Sequence, residues 1–401
     1  MRTHRYAGPT YDVAIVGARA AGAATAYLLA RQGLDVLVVD RSRYGSDTLS
    51  THALMRGGVL QLLRWGLLDD VIAAGTPPVR LTTFRYANDV VPIKIKPSDG
   101  VDALYAPRRT VLDPILVDAA VAAGATVRFG VAVIDVERAA DGSVTGIRGR
   151  TRDGQTFRAG ARIIVGADGF RSTIAGSVGA PVERAGTSAS AVTYGYWSGL
   201  ETDGYEWNFR PNAASGVIPT NGGQACVFVS ARPDRIGRGG LPTLTRIVAE
   251  SCPDLAARLA AAVPPTELRT FGGLPGYVRR SWGPGWALVG DAGYFKDPLS
   301  AHGLTDALRD AELLARALVA VLVEGAAERD ALAGYQQTRD ALSAELFDVM
   351  DVIAGHGWTD AEIPDLLLRL SAAMTGEVEA LAGLSPLGAP QLAYSRAVGC
   401  G

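Results

Sequence analysis

Apolar positions recur along this chain with two periods, and the places where the period changes divide it into elements. The opening YDVAIVGARAAGAATAYLLARQGLDVLVVDR sets a short apolar run, residues 13–16, before a glycine, then an Ala-rich stretch and a second apolar run, residues 36–39. Strand, turn, helix and strand in that order make a βαβ unit. Residues 56–75 carry apolar positions at helical spacing, and Pro77-Pro78 ends them. Two alternating stretches within residues 81–96 flank Asn88-Asp89 and predict a hairpin. Helical spacing returns over 111–123. Residues 127–169 then read as several strands punctuated by Asp141-Gly142 and Asp153-Gly154. Residues 189–231 predict an antiparallel sheet rich in aromatics: Tyr194, Tyr196, Trp197, Tyr205, Trp207, Phe209 and Phe228. A mostly helical stretch, 241–262, and a strand, 286–290, follow. From Gly303 onward helices dominate, with apolar spacing over 307–322 and 331–353.

The first turn carries chemistry. Gly17-Ala18-Arg19-Ala20-Ala21-Gly22 follows a strand and opens a helix, the context of a dinucleotide fingerprint. Gly17 permits the tight turn, Gly22 lets the helix lie close to the sheet, and free amides at the helix start favour a pyrophosphate. Arg19 stands where a second glycine normally lets phosphate approach, and its guanidinium points either to phosphates or to solvent. Asp40, followed by Arg41, ends the second strand where an acid binds ribose hydroxyls.

Two later segments narrow the nucleotide. Val165-Gly166-Ala167-Asp168-Gly169-Phe170-Arg171-Ser172 follows a strand, and Trp286-Ala287-Leu288-Val289-Gly290-Asp291-Ala292 is a strand ending in Gly-Asp. Over residues 11–314 the chain resembles the superfamily of FAD-dependent aromatic hydroxylases (group A monooxygenases) and geranylgeranyl reductases, which combine these three motifs in this order. The resemblance implies an α/β fold: a Rossmann-like FAD-binding domain of the glutathione-reductase type, interleaved with an antiparallel-sheet substrate domain and followed by C-terminal helices. The expected segments are 10–75, 100–182 and 270–315 for FAD, 76–99 and 183–269 for substrate, and 316–401 for the helices.

The resemblance also assigns cofactor contacts. Asp291 would accept bonds from ribityl hydroxyls while Gly290 lets the backbone approach. Pro298, Ala301, His302, Gly303 and Leu304 would form the turn and helix start at the isoalloxazine, whose helix dipole stabilises charge on the reduced ring. Ala301 and His302 depart from the family's usual Gly and Gln, and His302 either donates to flavin or substrate or caps the helix. Arg109, with Arg108 as its competitor, resembles the Arg that reaches the FAD phosphates, and Arg56 the Arg before a helix near the cofactor. Asp168 belongs to the motif associated with FAD and NAD(P)H, although the motif's final Arg is missing after Ser172. In Ser46-Asp47-Thr48-Leu49-Ser50-Thr51-His52, His52 is the catalytic candidate beside the ring, or else a packed histidine. His302 is the second catalytic candidate.

Composition works mainly by exclusion. Apolar residues make up 48% and charged residues 20%, the balance of a packed globular chain. Lys plus Arg, 39, nearly equals Asp plus Glu, 41, so no global field recruits nucleic acid or an anionic membrane. The opening residues are charged and interrupted by Gly-Pro, unlike a secretory signal, and the apolar stretch 13–30 contains Arg19. A cytoplasmic setting without membrane insertion is expected. Cys226, Cys252 and Cys400 form no CxxC, and the four histidines His4, His52, His302 and His356 form no HxxxH, so neither a disulfide framework nor a metal site is expected.

The resemblance points first to a monooxygenase. NAD(P)H, or a separate flavin reductase, would reduce FAD, O2 would add at flavin C4a, and one oxygen would pass to a small aromatic or polycyclic substrate. A geranylgeranyl-type reductase and a non-catalytic flavin or electron carrier are the alternatives. Tyr194, Tyr277, Arg279 and Arg280 are substrate-contact candidates, and the C-terminal helices either cover the substrate sheet or form a homodimer face.

Overall fold

The structure, a computed structural model, describes residues 10–387. His4, Cys400 and most of the charged opening segment lie outside them. Its helices are α1 (Ala20–Ala30), α2 (Arg56–Trp65), α3 (Leu68–Ala73), α4 (Arg109–Ala122), α5 (Thr173–Val178), α6 (Pro233–Ile236), α7 (Leu241–Ser251), α8 (Pro253–Ala261), α9 (Gly303–Leu322), α10 (Glu328–Ala354) and α11 (Ile363–Ala382).

A mostly parallel sheet forms the first layer. Its central strand, Thr10–Val16, lies between Val36–Asp40 and Thr156–Gly166, with Thr126–Phe129 beyond the former and Trp286–Leu288 beyond the latter. The runs Val13-Ala14-Ile15-Val16, Leu37-Val38-Val39 and Ile163-Ile164-Val165 are apolar without alternation because both faces are covered. On one face α1 packs against α4 and α9. An antiparallel meander, Val131–Arg138, Val144–Thr151 and Thr156–Gly166, closes the other.

A seven-stranded sheet makes the second layer, in the order Arg269–Phe271, Ala191–Ser198, Gln224–Ala231, Ala213–Pro219, Tyr205–Arg210, Leu81–Tyr86 and Asp89–Lys94. All its pairs are antiparallel except that between Tyr205–Arg210 and Leu81–Tyr86. The expected hairpin is present, turning at Ala87-Asn88. Strand alternation divides the side chains between two cores. Val217, Val227 and Val229 meet α6, α7 and α8, whereas Tyr194, Trp207, Phe209 and Phe228 face α10 and α11.

Two helices expected as continuous are broken. Gly66, at φ 75°, caps α2, so the helical stretch 56–75 divides into α2 and α3. The stretch 241–262 divides at Cys252, which stays extended ahead of Pro253. Among the described residues no helix is long and apolar enough to cross a membrane.

Candidate cofactor and substrate site

Three turns meet where adjacent parallel strands end at Val16, Gly166 and Leu288. The approach is too close for side chains. A Cβ on Gly17, at φ +112°, would stand 2.3 Å from the Ala167 carbonyl oxygen, and one on Gly22 would stand 1.9 Å from that of Gly17. The Gly290 turn also comes near, since a Cβ there would lie 3.0 Å from Ala21 Cβ. The fingerprint, the Asp-Gly motif and the Gly-Asp motif therefore surround one edge of the sheet.

That edge presents helix amides and one carboxylate without protein partners, and a second carboxylate partly engaged. No side chain caps α1 at Arg19 or α9 at His302, so the first amides of both helices are available to an anion or a carbonyl. Asp40 Oδ2 accepts the Ala18 amide at 2.8 Å, and Oδ1 accepts the Ser42 amide at 2.7 Å and its hydroxyl at 2.5 Å. Capacity for another donor remains on a carboxylate so engaged. The half-buried Asp291 carboxylate takes no hydrogen bond from any described residue. Burial pushes it up to about 6, against the pull of Lys296 and Arg109. A carboxylate in that state calls for hydroxyl or amide donors from a ligand.

A cleft lined by Ala18, Arg19, Ser42, Tyr44, Val117 and Phe129 opens beside Asp40. Tyr44 and Phe129 meet edge to face in its wall, with centroids 5.7 Å apart. Arg109 begins α4 and is gripped by both Asp113 oxygens, at 2.9 and 3.1 Å. Uncapped amides, close backbone approach, an acid at the second strand end and an unpartnered acid at the Gly-Asp turn are what an extended dinucleotide requires. The residues present fit FAD.

Other candidate residues also hold protein partners. Arg19 binds the Ser46 carbonyl at 3.0 Å and Asp113, the partner of Arg109, at 3.1 Å. Arg56 ties the carbonyls of Lys96 and Val101, at 2.6 and 3.0 Å, and so anchors a surface loop. Asp168 is occupied at the start of α5, accepting the Ser172 hydroxyl at 2.5 Å and the Thr173 amide at 2.6 Å. The His302 ring turns inward to Glu377 of α11, with Nε2 3.1 Å from Oε2. Arg41 is exposed at the strand end. Arg280 pairs with Glu183 at the surface, at 3.0 Å.

His52 does stand between the layers. It is buried at φ 51°, its Nε2 lies 3.1 Å from the Tyr196 hydroxyl, and the two rings stack at 5.6 Å. Burial, reinforced by Arg108, pulls its pKa down to about 3, so the ring is neutral. Arg108, the competitor to Arg109, lies over the Tyr196 ring at 3.5 Å and pairs with Asp47 at 3.0 Å. Arg269 also reaches Asp47, at 3.3 Å, and the Ser50 amide donates to the Tyr194 hydroxyl at 2.8 Å. The loop 46–52 is thus fastened to the aromatic sheet. Leu299 and Ala301, from the turn after the Gly-Asp motif, pack into the same apolar cluster as Tyr194, Trp207, Phe209 and Phe228.

Sequence reasoning passed over Tyr196 as a partner for His52, together with Asp47, Arg269 and Glu377. The alternation of Tyr194 and Tyr196 on one strand face was a usable signal. Glu377, inside an amphipathic helix, gave none. Ala301, where the family usually has glycine, adopts φ 51°. Such a position costs roughly 1–3 kcal/mol for a non-glycine residue.

A family model described as FAD binding domain matches residues 10–349. The chain is 30% identical over 318 residues to digeranylgeranylglycerophospholipid reductase 2 of Methanopyrus kandleri, covering 74% of each chain. It is 24% identical over 367 residues to squalene epoxidase 3 of Arabidopsis thaliana, covering 87% of this chain and 67% of that one. Among solved structures, the myxobacterial chondrochloren halogenase superposes with a TM-score of 0.76 at 22% identity, covering 92% of this chain and 98% of the other. That likeness concerns the fold.

Proposed function

Because the chain belongs to the FAD binding domain family and is an enzyme of the FAD-dependent oxidoreductase type, we propose that it reduces a carbon–carbon double bond in a largely apolar substrate. Ala21 and Gly22 would hold the pyrophosphate on the α1 amides, with the turn at Gly17 and Ala18 giving it room, Asp40 at the ribose and Arg109 beside the phosphates. Gly290 and Asp291 would hold the ribityl chain, while Pro298, Ala301, Gly303 and Leu304 bring the start of α9 to the flavin. Bound FAD supplies two-electron chemistry, with NAD(P)H or a separate reductase as donor.

This chain's own residues shape what meets the cofactor. Tyr194, Trp207, Phe209 and Phe228 pack in one apolar cluster with α10, α11, Leu299 and Ala301, and the part of that cluster next to the turn would meet a hydrocarbon or fused ring. Asp47, Arg108 and Arg269 form a polar rim at one end, where a substrate headgroup would orient. Neutral His52, and Tyr196, whose hydroxyl burial holds protonated, can hold a proton beside the ring without placing a net charge in the pocket. The observation that carries the reading is this aromatic cluster meeting the turn after Asp291. The reductase and the epoxidase among the relatives add support, since both act, by name, on isoprenoid molecules.

Oxygen insertion is the second reading, favoured by the epoxidase match along 87% of the chain. One incubation separates the two. With FAD-loaded protein, a reduced nicotinamide and an unsaturated prenyl substrate, a reductase adds two hydrogens under argon, whereas a monooxygenase makes product only in air and adds one oxygen. Protein that takes up no FAD would overturn both.

A further inference from the structure

The chain enters the aromatic sheet through residues 186–190 and leaves it through 272–276. The two crossings lie side by side, with the Gly186 amide donating to the Gly276 carbonyl at 2.7 Å. Two carboxylates grip the entering segment. Near the surface, Asp351 of α10 accepts the Thr187 amide at 2.9 Å, the Thr187 hydroxyl at 2.7 Å and the Ser188 amide at 3.0 Å. Deeper in, the buried Asp297 accepts the Ser190 amide at 2.7 Å and the Ser190 hydroxyl at 2.5 Å. Ser190 directly precedes the strand Ala191–Ser198, so these bonds are made at the root of the strand that carries Tyr194 and Tyr196.

The same residue builds the turn after the Gly-Asp motif. Asp297 Oδ1 accepts the Leu299 amide at 3.0 Å, and the Asp297 carbonyl accepts the Ser300 hydroxyl at 3.1 Å. The Ser300 hydroxyl oxygen in turn accepts the His302 amide at 3.2 Å, just ahead of α9. Capping such a turn takes one carboxylate oxygen. The other reaches a residue 107 positions away in the sequence.

Chemistry singles out the carboxylate for this place. The Leu299 amide sits on Oδ1 and the Ser190 amide on Oδ2, so both oxygens must accept from backbone N–H groups, which cannot reverse their role. An ionised Asp does so, whereas Asn, with one accepting and one donating end, leaves one of the two amides facing another N–H. Burial pushes the Asp297 carboxyl up to about 6, while the bonds from Ser190 and Leu299 hold it down. At neutral pH the ionised form therefore prevails.

We propose that Asp297 is a positioning residue: it sets the strand bearing Tyr194 and Tyr196 at a fixed offset from the turn 298–301. On the functional reading given above, on which this consequence rests, the offset holds the substrate-facing aromatics in register with the flavin. Asp297 acts through Ser190 on one side and Leu299 on the other. A displacement of about 1 Å between reacting groups can cost about a hundredfold in rate, so a small slip at this tie is expected in turnover before it is expected in binding.

Hydrogen exchange read by mass spectrometry tests the link without substrate or flavin. Asp297→Asn should raise exchange severalfold both in 189–194 and in 298–304, leaving α1 and the Gly17 turn as they were. Asp351→Asn should loosen only the segment around Thr187 and Ser188. Turnover by FAD-loaded protein on an unsaturated prenyl substrate tests the consequence. In Asp297→Asn, kcat per bound flavin should fall about tenfold or more while KM stays within about twofold, a split that simple loss of stability would not produce. Asp351→Asn should keep the natural kcat. Ser190→Ala, which removes the hydroxyl bond and keeps both amides on their oxygens, should lower kcat severalfold and carries the test if Asp297→Asn does not fold. Exchange raised in only one of the two segments, or kcat per bound flavin unchanged in every folded variant, would overturn the proposal. A natural protein that binds FAD and leaves every prenyl substrate unreduced would overturn the functional reading instead, and exchange would still decide whether Asp297 joins the strand to the turn.

Discussion

The parallel sheet and the aromatic sheet build their sites from different materials. At the parallel sheet the working parts are backbone: amides at the starts of α1 and α9, and turns so close that Gly17 and Gly22 admit no Cβ. At the aromatic sheet they are side chains, His52, Tyr194, Tyr196 and Arg108, held by one another across segments far apart in sequence. A backbone site tolerates almost no change at a few positions, whereas a side-chain site tolerates many changes and alters its preference with each.

Gly22→Val tests that contrast with the largest effect. Its side chain would overlap the Gly17 carbonyl, so a loss of more than about 3 kcal/mol is expected, with no retained flavin. Thermal unfolding and the visible spectrum would check it, and yellow protein with an unchanged Tm would break the backbone account. Phe228→Ala, which removes a ring packed on Gly216, should cost about 3 kcal/mol of stability. FAD affinity should stay unchanged while KM for an apolar substrate rises. Loss of FAD together with substrate would mean that the two sheets do not divide the work.

Asp291→Ala should leave the fold intact and weaken FAD binding by about 1.5–3 kcal/mol, the worth of hydrogen bonds to a charged group. Titration of flavin fluorescence measures it. Acid sharpens the comparison further. His52 and His356 have pKa values lowered by burial to about 3 and about 4. Each stays neutral in the fold where the unfolded chain would protonate, so stability is full above about pH 6.5 and drains as pH falls, by at most about 1.4 kcal/mol per pH unit for each histidine. His356→Gln should flatten that slope in denaturant titrations across pH 4–6.5. The smallest change expected is from Ala301→Gly. Relief of the φ 51° backbone offsets the added chain entropy, leaving Tm within the shift that about 1 kcal/mol produces.

The same contrast governs what the sequence discloses. The strand–turn–helix setting of Gly17 and Gly22, Asp40 at the second strand end and the Gly290-Asp291 turn were legible because close backbone approach demands particular residues at fixed spacing. The two-sheet architecture followed from uninterrupted apolar runs in one place and alternating aromatics in another. Side-chain direction was not legible. Arg19, in the Gly17–Gly22 turn, binds Asp113, Asp168 is occupied by α5, and Arg56 secures a loop, each through a partner that no motif records. His302 is the clearest instance. Its destination is set by Glu377, whose placement depends on the packing of α11 rather than on any local pattern.

The bond from His302 to Glu377 also has a temporal consequence. A growing chain emerges from the ribosome with Gly17, Asp40 and Asp291 long before α11 is made, and domains fold as their segments emerge. Until Glu377 arrives, His302 lacks its hydrogen-bond partner and Arg309 has only Asp306 and Asp310 of its own helix. The strands and turns that carry Gly17, Asp40 and Gly290 are therefore complete in the chain before the helix that backs the turn 298–301 has been made.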